Sequence, residues 1–501
     1  MKLATFSAAG QPALAVLCRR AFSFPAALGS SLVALSVLTV RSRFSDPDLW
    51  WHLRTGQIIA TQRVIPRIDL FSFATRQHAW VAHEWLSQVF LYGVWRAGGY
   101  AGLMLWFCVL AAGLLLLEYL LCSIYANHAK VAFLGALVTW LFATIGLAIR
   151  PQMLGYFLLA CELLLVQLGR SRDPRWFLLL PPLLALWANC HGSFFLGLML
   201  LAVLLACSFI DWRAGLLDSR PLESSRRKVF AAAAALSLPA VFLNPVGLPL
   251  LAYPLRTIFD ARMQLDAVSE WRRLAFDDPR AFLLLAVAGL IVLLALVGRI
   301  PLYLDECAVL SLAFGMAVLH QRLLFAWGIV AAPVLCRQLA GLWDGYDPAR
   351  DHRLANALLI LAALTIAIGA FPGTSNLAAQ VTRDNPTQAV QFLRRARLPG
   401  NMLNEYVYGG YLIWADPEQR VFIDGRADVY AWTGVLKDYG EWATLETDPN
   451  VLLDRYRIAF CLLSRSMPLA RVLRYLPGWH ELYSDSQAVI FVRTGAKPGT
   501  P

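Results

Sequence analysis

Long apolar runs dominate the sequence, and they restrict the possible folds more than any other feature. A helix needs about 20 consecutive, mostly apolar residues to cross a membrane, and eleven runs approach that length. Only 15% of the 501 residues are charged and 58% are hydrophobic, whereas soluble domains carry roughly 25% charged residues. We therefore exclude a soluble enzyme and expect an α-helical, polytopic membrane protein with about eleven transmembrane helices. The runs lie near 21–40, 101–126, 130–149, 152–169, 176–191, 194–210, 229–243, 281–298, 302–319, 323–341 and 354–371.

Charged residues between the runs predict the orientation of the chain. The formal net charge is +11, and in a membrane protein such an excess usually reflects cytoplasmic loops rather than binding of nucleic acid. Lys2, Arg19 and Arg20 precede the first run, and no small-residue cleavage site follows it. We therefore expect an uncleaved signal anchor with a cytoplasmic N-terminus. From that start, every cytoplasmic turning carries basic residues: Lys130, then Arg170, Arg172 and Arg175, then Arg213, Arg220, Arg226, Arg227 and Lys228, then Arg299, then Arg350 and Arg353.

The same count divides the chain into two predicted domains. Residues 1–372 hold all the apolar runs and form the transmembrane domain, in which the first outer loop is 41–98 with two amphipathic helices. Residues 373–501 contain no further spanning run and lie outside, as an extracytoplasmic α/β domain. Its expected strands include 420–423, 460–463 and 488–492, and its expected helices lie around 386–397, 449–457 and 468–476.

Polar residues at the ends of the predicted spans collect on the outer side. Ionisable groups at such positions are costly and tend to mark function, so a single extracytoplasmic site built from several spans is our interpretation. The alternative for any one of them is an ordinary interfacial residue. The inner side offers mostly loop arginines without obvious partners. The outer residues are Asp46, Asp48, His52, His83, Glu84, Arg150, Gln152, Asn189, His191, Asn244, Glu270, His320 and Arg322.

The first outer loop carries two acidic positions at predicted helix starts. Asp46 precedes Pro47, which is typical of a helix N-terminus, so a helix cap is the favoured interpretation of Asp46 over a catalytic role. Asp48 is different, because the cap already exists two residues earlier, and we expect it to act as a general base or as an electrostatic anchor. A second amphipathic helix begins near His83 and carries Glu84. Two such helices can bring Asp48 and Glu84 together, which makes Asp48, Glu84 and Asp46 the catalytic candidates.

A divalent cation is a further hypothesis for this loop. Asp48 and His52 share a helix face at a spacing of four residues, and carboxylates with a histidine can hold Mg²⁺ or Mn²⁺. Asp46, Asp48 and His52 are the candidate ligands. The pattern is a weak metal signature, and no other cofactor is indicated.

The order of these motifs resembles the membrane glycosyltransferases of the GT-C fold, in particular the bacterial protein mannosyltransferase and aminoarabinose transferase group. The shared features are a first span, Pro47 with Asp48, the run 53–57 (Leu-Arg-Thr-Gly-Gln), a Pro and Asp turn, and a second acidic site at Glu84. The resemblance implies that Asp48 is the catalytic aspartate and Glu84 the second acidic residue. It also implies a polyprenyl-phosphate sugar donor and an inverting transfer outside the bacterial cytoplasmic (inner) membrane.

The resemblance gives the outer arginines a role. Arg150 stands at a helix break before Pro151, where its guanidinium can grip a phosphate through two hydrogen bonds. A snorkelling arginine at the edge of the bilayer is the equal alternative. His320 and Arg322 lie at another outer turning and are the further candidates for binding the donor phosphate.

Residues around these positions are candidates for binding the substrates. Loop 244–280 is long enough to form a lid or an acceptor groove. In the tail, 404–411 and 424–428 are rich in polar and aromatic groups suited to sugars, although a turn with an internal ion pair is the favoured interpretation of 424–428. The candidates are His52, His83, Gln152, Asn189, His191, Glu270 and Tyr411.

Together these observations predict a hexosyl- or pentosyltransferase. Its expected partners are a polyprenyl-phosphate sugar, membrane lipid, and a glycan, lipid or protein acceptor. A flippase or transporter for lipid-linked glycans is the main alternative, but it would need polar groups at mid-membrane and on both sides. A non-catalytic scaffold in envelope glycan assembly, with the same fold, is the second. The one-sided distribution favours the transferase.

Overall fold

The apolar runs become helices of a bundle. The computed structural model describes residues 19–75, 77–143, 146–259, 268–342, 346–347, 349 and 351–495; Lys2, Arg350 and residues 260–267 of the long loop lie outside them. The helices up to residue 372 are α1 (Phe24–Val40), α2 (Pro47–Gln62), α3 (Trp85–Ala126), α4 (Ala129–Phe142), α5 (Gln152–Ser171), α6 (Leu180–Cys190), α7 (Phe194–Cys207), α8 (Ser224–Ala240), α9 (Leu248–Phe259), α10 (Pro279–Gly298), α11 (Leu304–Leu319), α12 (Leu324–Leu339) and α13 (Arg353–Ala370).

Several of these helices are suited to a membrane. Within the described ranges, five are long and apolar enough to cross one, and three shorter apolar helices accompany them. The chain is therefore a multi-pass membrane protein, while the count of eleven spans stays a prediction. The five are 85–126, 152–171, 279–298, 321–339 and 353–370, and the shorter three are α1, α4 and α7.

The second amphipathic helix of the first loop runs directly into a long apolar helix. Gly99 lies inside the 42 residues of α3 but is not helical, since it has φ +53° and ψ −141°. Residues other than glycine rarely adopt this backbone conformation. The segment α3 is therefore two helices that meet at a kink, one in the first loop and one in the apolar run.

The tail contains a four-stranded mixed sheet. The strands lie in the order β4-β5-β7-β6, with β4 parallel to β5 and the other two pairs antiparallel. A second, small sheet joins three two-residue strands of the loops beside α8 and α11. The strands are β1 (Arg213–Ala214), β2 (Leu217–Asp218), β3 (Leu302–Tyr303), β4 (Asn401–Asn404), β5 (Ile458–Ser464), β6 (Trp479–Ser484) and β7 (Ala488–Arg493), and the tail helices are α14 (Thr374–Asp384), α15 (Thr387–Ala396), α16 (Tyr406–Ala415), α17 (Ala427–Thr433), α18 (Val435–Thr444), α19 (Pro449–Arg455) and α20 (Pro468–Leu473).

The segment expected as a strand at 420–423 pairs with the first loop instead of with this sheet. Val421 N donates to Phe71 O over 3.1 Å, and Phe73 N donates to Val421 O over 3.1 Å. Side chains of the loop, including Trp51 and Trp80, share one apolar cluster with residues of the tail. The first loop and the tail therefore pack as one unit, and the boundary predicted at residue 372 stays a proposal.

A buried arginine, Arg426, joins the first loop to the tail through ion pairs. Arg426 is 2% exposed and places its guanidinium 2.7 Å from Asp69 Oδ1 in the loop and 2.6 Å from Asp424 Oδ2 in the tail. Its guanidinium also lies 4.8 Å from the ring centres of Phe71 and Trp80. Two carboxylates and two aromatic faces compensate the cost of burying its charge. The turn at 424–428 therefore contains the ion pair that its sequence suggests.

The opposite end of the bundle has partners that the sequence did not reveal. Asp305 and Glu306, in the first turn of α11, are 3% and 4% exposed. Arg170 and Arg220 form salt bridges with Asp305, and Arg337 forms one with Glu306. The expectation that arginines at this end lack partners is corrected, because the two carboxylates lie inside an apolar run that obscures them.

Candidate functional site

Arg150 contacts three carboxylates from two segments, the start of α2 and the long loop. Its Nε donates to Asp46 Oδ1 over 2.7 Å, and its Nη1 lies 3.0 Å from Asp48 Oδ2 and 3.1 Å from Glu270 Oε1. Burial disfavours its charge, but the three carboxylates hold the pKa of Arg150 well above its usual value. Both Nε and Nη1 are therefore engaged by the protein, whereas the sequence suggested that they grip a donor phosphate.

Asp46 and Asp48 play different parts at the start of α2. Asp46 is the N-cap and accepts a hydrogen bond from Asp48 N over 2.9 Å, as the Asp-Pro pair indicates. Asp48 accepts one from Trp51 Nε1 over 3.1 Å. Burial raises the pKa of Asp48, Arg150 opposes that rise and Asp46 adds to it, and the result is about 7. Asp48 can therefore exchange a proton near neutral pH, as a general base must.

The tail covers Asp48. A Cβ atom on Gly425 would lie 1.6 Å from Asp48 Oδ1, so no other residue fits there without displacement. Tyr406, at the start of α16, donates to Gly425 O over 3.3 Å. Burial, followed by the charge of Asp48, raises the pKa of Tyr406 well above its usual value. Both tail residues thus form part of the surroundings of Asp48.

Glu84, the residue preceding α3, is surrounded by three histidines. Its carboxylate oxygens lie 3.6 Å from His52 Nδ1, 3.7 Å from His83 Nε2 and 3.3 Å from His191 Nε2. Burial raises the pKa of Glu84 to about 7, although His83 and Arg322 oppose the rise. Burial also lowers the pKa values of His52 and His191 well below the usual value, so these two imidazoles are neutral.

The two carboxylates belong to one site. The charge of Asp48 contributes to the raised pKa of Glu84, and the charge of Arg150 contributes to the lowered pKa of His52. His52 itself lies next to Trp51, with 3.6 Å between ring centres. The two predicted helices of the first loop therefore bring Asp48 and Glu84 together, with Arg150 beside Asp48.

Arg322 is a second arginine near Glu84. It lies over the ring of Trp271 at 4.5 Å, and no carboxylate of the described ranges forms a salt bridge with it. Its charge nevertheless affects the pKa of both Glu84 and His191. Tyr156 donates to Arg322 O over 2.8 Å and accepts from Gln152 Nε2 over 2.6 Å. Gln152 thus supports the backbone of Arg322.

The long loop returns to the site through a short turn, 269–271. That turn carries Glu270, the third partner of Arg150, and Trp271. His320 Nδ1 lies 3.1 Å from Trp271 O, so His320 holds this turn in place. The described part of the loop therefore contributes residues to the site, while its role as a lid or an acceptor groove stays a prediction.

An apolar groove of about 570 Å³ opens beside Glu84. Trp85, the next residue, lines it and donates from Nε1 to Asn189 Oδ1 over 2.8 Å. Asn189 in turn donates to Ala185 O and Leu243 O, so it fixes the groove wall. The lining residues are Trp85, Leu86, Ala185, Leu186, Asn189, Leu243, Asn244 and Pro245.

Two predicted features are placed elsewhere. Tyr411 packs edge-on against Trp50, with 5.3 Å between ring centres, among aromatic core residues. The proposed ligands Asp46 and Asp48 face Arg150, while His52 faces Glu84. In the part of the chain that the structure describes, no group of three or more His, Cys, Asp or Glu side chains has a geometry that could hold a metal ion.

The site contains further residues that the sequence did not assign to it. Trp51 donates to Asp48, Tyr253 stacks on His83 with 4.1 Å between ring centres, and Gly425 lies against Asp48. Trp51 had a signal, since it lies three residues after Asp48 on the same helix face, and Gly425 belongs to the segment 424–428, whereas nothing in the sequence placed Tyr253 beside His83. The charge of Asp428 also raises the pKa of Glu84.

Comparison with solved structures identifies the fold. A scan against protein-family models finds no match, and a search of curated proteins finds none either. The oligosaccharyltransferase of Archaeoglobus fulgidus, tethered to an acceptor peptide, superposes with a TM-score of 0.56 at 11% identity, covering 95% of this chain and 75% of that one. The archaeal oligosaccharyltransferase AglB, with an inhibitory peptide and a dolichol-phosphate, gives 0.52 at 12% identity, over 93% and 74%. The chain has the GT-C fold.

Proposed function

We propose that the chain is an inverting glycosyltransferase that moves a sugar from a polyprenyl-phosphate donor to an acceptor hydroxyl. The observation that carries this proposal is the pair of carboxylates in one site, the partly exposed Asp48 and the buried Glu84, whose pKa values are both raised to about 7. The GT-C fold supports it, because a protein with that fold was solved with a dolichol-phosphate.

Asp48 is the proposed base. Inverting transfer forms one bond between the acceptor oxygen and the anomeric carbon while the bond to the donor phosphate breaks. The acceptor proton passes to the Asp48 carboxylate, and the polyprenyl phosphate leaves with the electron pair. Arg150 and Trp51 hold Asp48 in place from two directions, which is the positioning that efficient proton transfer requires.

Arg322 is the proposed contact of the leaving phosphate. Its guanidinium has no salt-bridge partner in the described ranges, whereas Arg150 contacts three carboxylates. A guanidinium can bind phosphate oxygens through two parallel hydrogen bonds and stabilise the charge that develops there. The apolar groove beside Trp85 and Asn189 would take the polyprenyl chain.

We place the reaction on the outer side of a bacterial cytoplasmic membrane. The support is the distribution of basic residues, which favours a cytoplasmic N-terminus and an extracytoplasmic tail. On that side a lipid-linked donor is available, whereas nucleotide sugars are made in the cytoplasm. A glycan, lipid or protein acceptor would approach between the long loop and the tail.

The test uses purified protein in lipid nanodiscs with radiolabelled polyprenyl-phosphate sugars and, separately, nucleotide sugars. Asp48→Asn keeps the shape of the side chain and removes the base, so transfer should fall by about 10² to 10⁴. Asp173→Asn is the control, because it makes the same change at an exposed aspartate near the start of another helix. Transfer from nucleotide sugars alone, or full activity of Asp48→Asn, would contradict the proposal.

A further inference from the structure

The turn before α7 connects a serine to the histidine beside Glu84. Ser193 N donates to His191 Nδ1 over 3.1 Å, and Ser193 Oγ lies 2.7 Å from the same nitrogen. Trp187, from the preceding helix, donates from Nε1 to Ser193 Oγ over 3.0 Å. On its other side, His191 Nε2 lies 3.3 Å from Glu84 Oε1.

These contacts determine where the proton of His191 resides. A backbone N–H and an indole N–H can only donate, so His191 Nδ1 must accept from Ser193 N. Because Ser193 Oγ accepts from Trp187, its own hydrogen is free to point at Nδ1. The neutral imidazole therefore carries its proton on Nε2, which faces Glu84.

We propose that Ser193 is a positioning residue, which holds His191 in the tautomer that donates a hydrogen bond from Nε2 to Glu84. The inference rests on the proposed function in one respect, namely that Glu84 takes part in transfer. Ser193 itself touches neither Glu84 nor any substrate position. It acts through the ring of His191.

The pair of Ser193 and His191 packs closely against α5. A Cβ atom on Gly155 of α5 would lie 2.4 Å from Ser193 Oγ and 2.9 Å from His191 Nδ1, so only glycine fits there. Burial, followed by the charges of Arg322 and His83, lowers the pKa of His191, which agrees with a neutral ring. His191 thus donates a hydrogen bond to Glu84 as a neutral imidazole. A proton taken up by this pair binds to the carboxylate of Glu84 and not to His191.

The tautomer can be read directly by nitrogen NMR. Protein labelled with ¹⁵N-histidine in lipid nanodiscs, with His191→Gln to assign the signals, should show an unprotonated Nδ1 and a protonated Nε2 for His191. Ser193→Ala removes the hydroxyl donor and should introduce a measurable share of the other tautomer. Ser193→Pro removes both the hydroxyl and the backbone N–H donor, and the φ of −68° at this residue suits proline. The share of the tautomer with the proton on Nδ1 should therefore rise further.

Transfer kinetics give the second measurement. Loss of one hydrogen bond in Ser193→Ala should lower kcat by about five- to tenfold with the donor KM unchanged, and Ser193→Thr should restore it. Ser36→Ala is the control, because Ser36 is a buried helix serine that donates to Leu32 O. A proton on Nδ1 in the wild-type protein, or one unchanged tautomer in both the alanine and the proline variants, would overturn the inference. Because NMR needs no substrate, an inactive wild-type protein would refute the proposed function alone.

Discussion

Replacing Arg150 by glutamine should move the pH dependence of transfer without abolishing it. Burial raises the pKa of Asp48, Arg150 at 3.0 Å opposes that rise, and the result is about 7. An arginine at this distance lowers the pKa of an aspartate by about 1 to 3, so Arg150→Gln should raise the pKa of Asp48 to about 8 to 10. Since the ionised carboxylate is the base, activity increases as the pH rises through this pKa. The rate at pH 7 should therefore fall about 5- to 500-fold and recover at alkaline pH.

Initial rates at saturating donor, measured across the neutral and alkaline range, test this reasoning. Glu84 titrates in the same range but forms no salt bridge with Arg150 in the described chain, so a displaced profile identifies Asp48. Arg150→Lys keeps the charge and should keep the profile. Arg455→Gln, which breaks an exposed pair with Asp438, is the control. An unmoved profile with a raised donor KM would show that Arg150 binds the donor phosphate instead.

A Cβ atom on Gly425 would collide with Asp48, so Gly425→Ala should abolish transfer, whereas Gly440→Ala, at a position with open space, should not. Equal rates of the two variants would show that the tail does not constrain Asp48. Breaking a buried ion pair costs about 3–5 kcal/mol, so Asp305→Asn should lower the midpoint of thermal unfolding and leave the activity of folded molecules unchanged. An unchanged midpoint would mean that the ion pairs of Asp305 with Arg170 and Arg220 add no stability. Cysteine introduced at the exposed Tyr475 should react with an impermeant reagent added from outside; reaction only after permeabilisation would reverse the proposed topology.

The helices could be predicted from the sequence because their signal is local. Each apolar run overlaps a helix of the described chain, because burial or membrane insertion stabilises every residue of such a run in the same way. The kink at Gly99 has a signal in the sequence, because a glycine pair is typical of a helix end. The partners of Asp305 and Glu306 could not be predicted, since they come from distant segments: Arg170 from α5, Arg220 from the loop before α8 and Arg337 from α12.

The site was predictable only where its residues lie close in sequence. Asp46 and Asp48 could be given different roles because a helix needs one cap, and Glu84 lay at the next helix start. The partners of Arg150 lie far from it in sequence: Asp46 is 104 residues away and Glu270 is 120 residues away. A pattern within one window cannot show that a predicted phosphate ligand is already bound by the protein.

The contact between Arg426 and Asp69 has a consequence for biogenesis. The two residues are 357 positions apart, so a ribosome finishes the first loop long before it makes the arginine that this loop requires. Asp69 therefore lacks its partner Arg426 until the intervening helices have been synthesised. The surroundings of Asp48 are then completed by a segment that is translated after those helices. If the chain has the proposed activity, chains shortened before residue 425 should therefore be inactive.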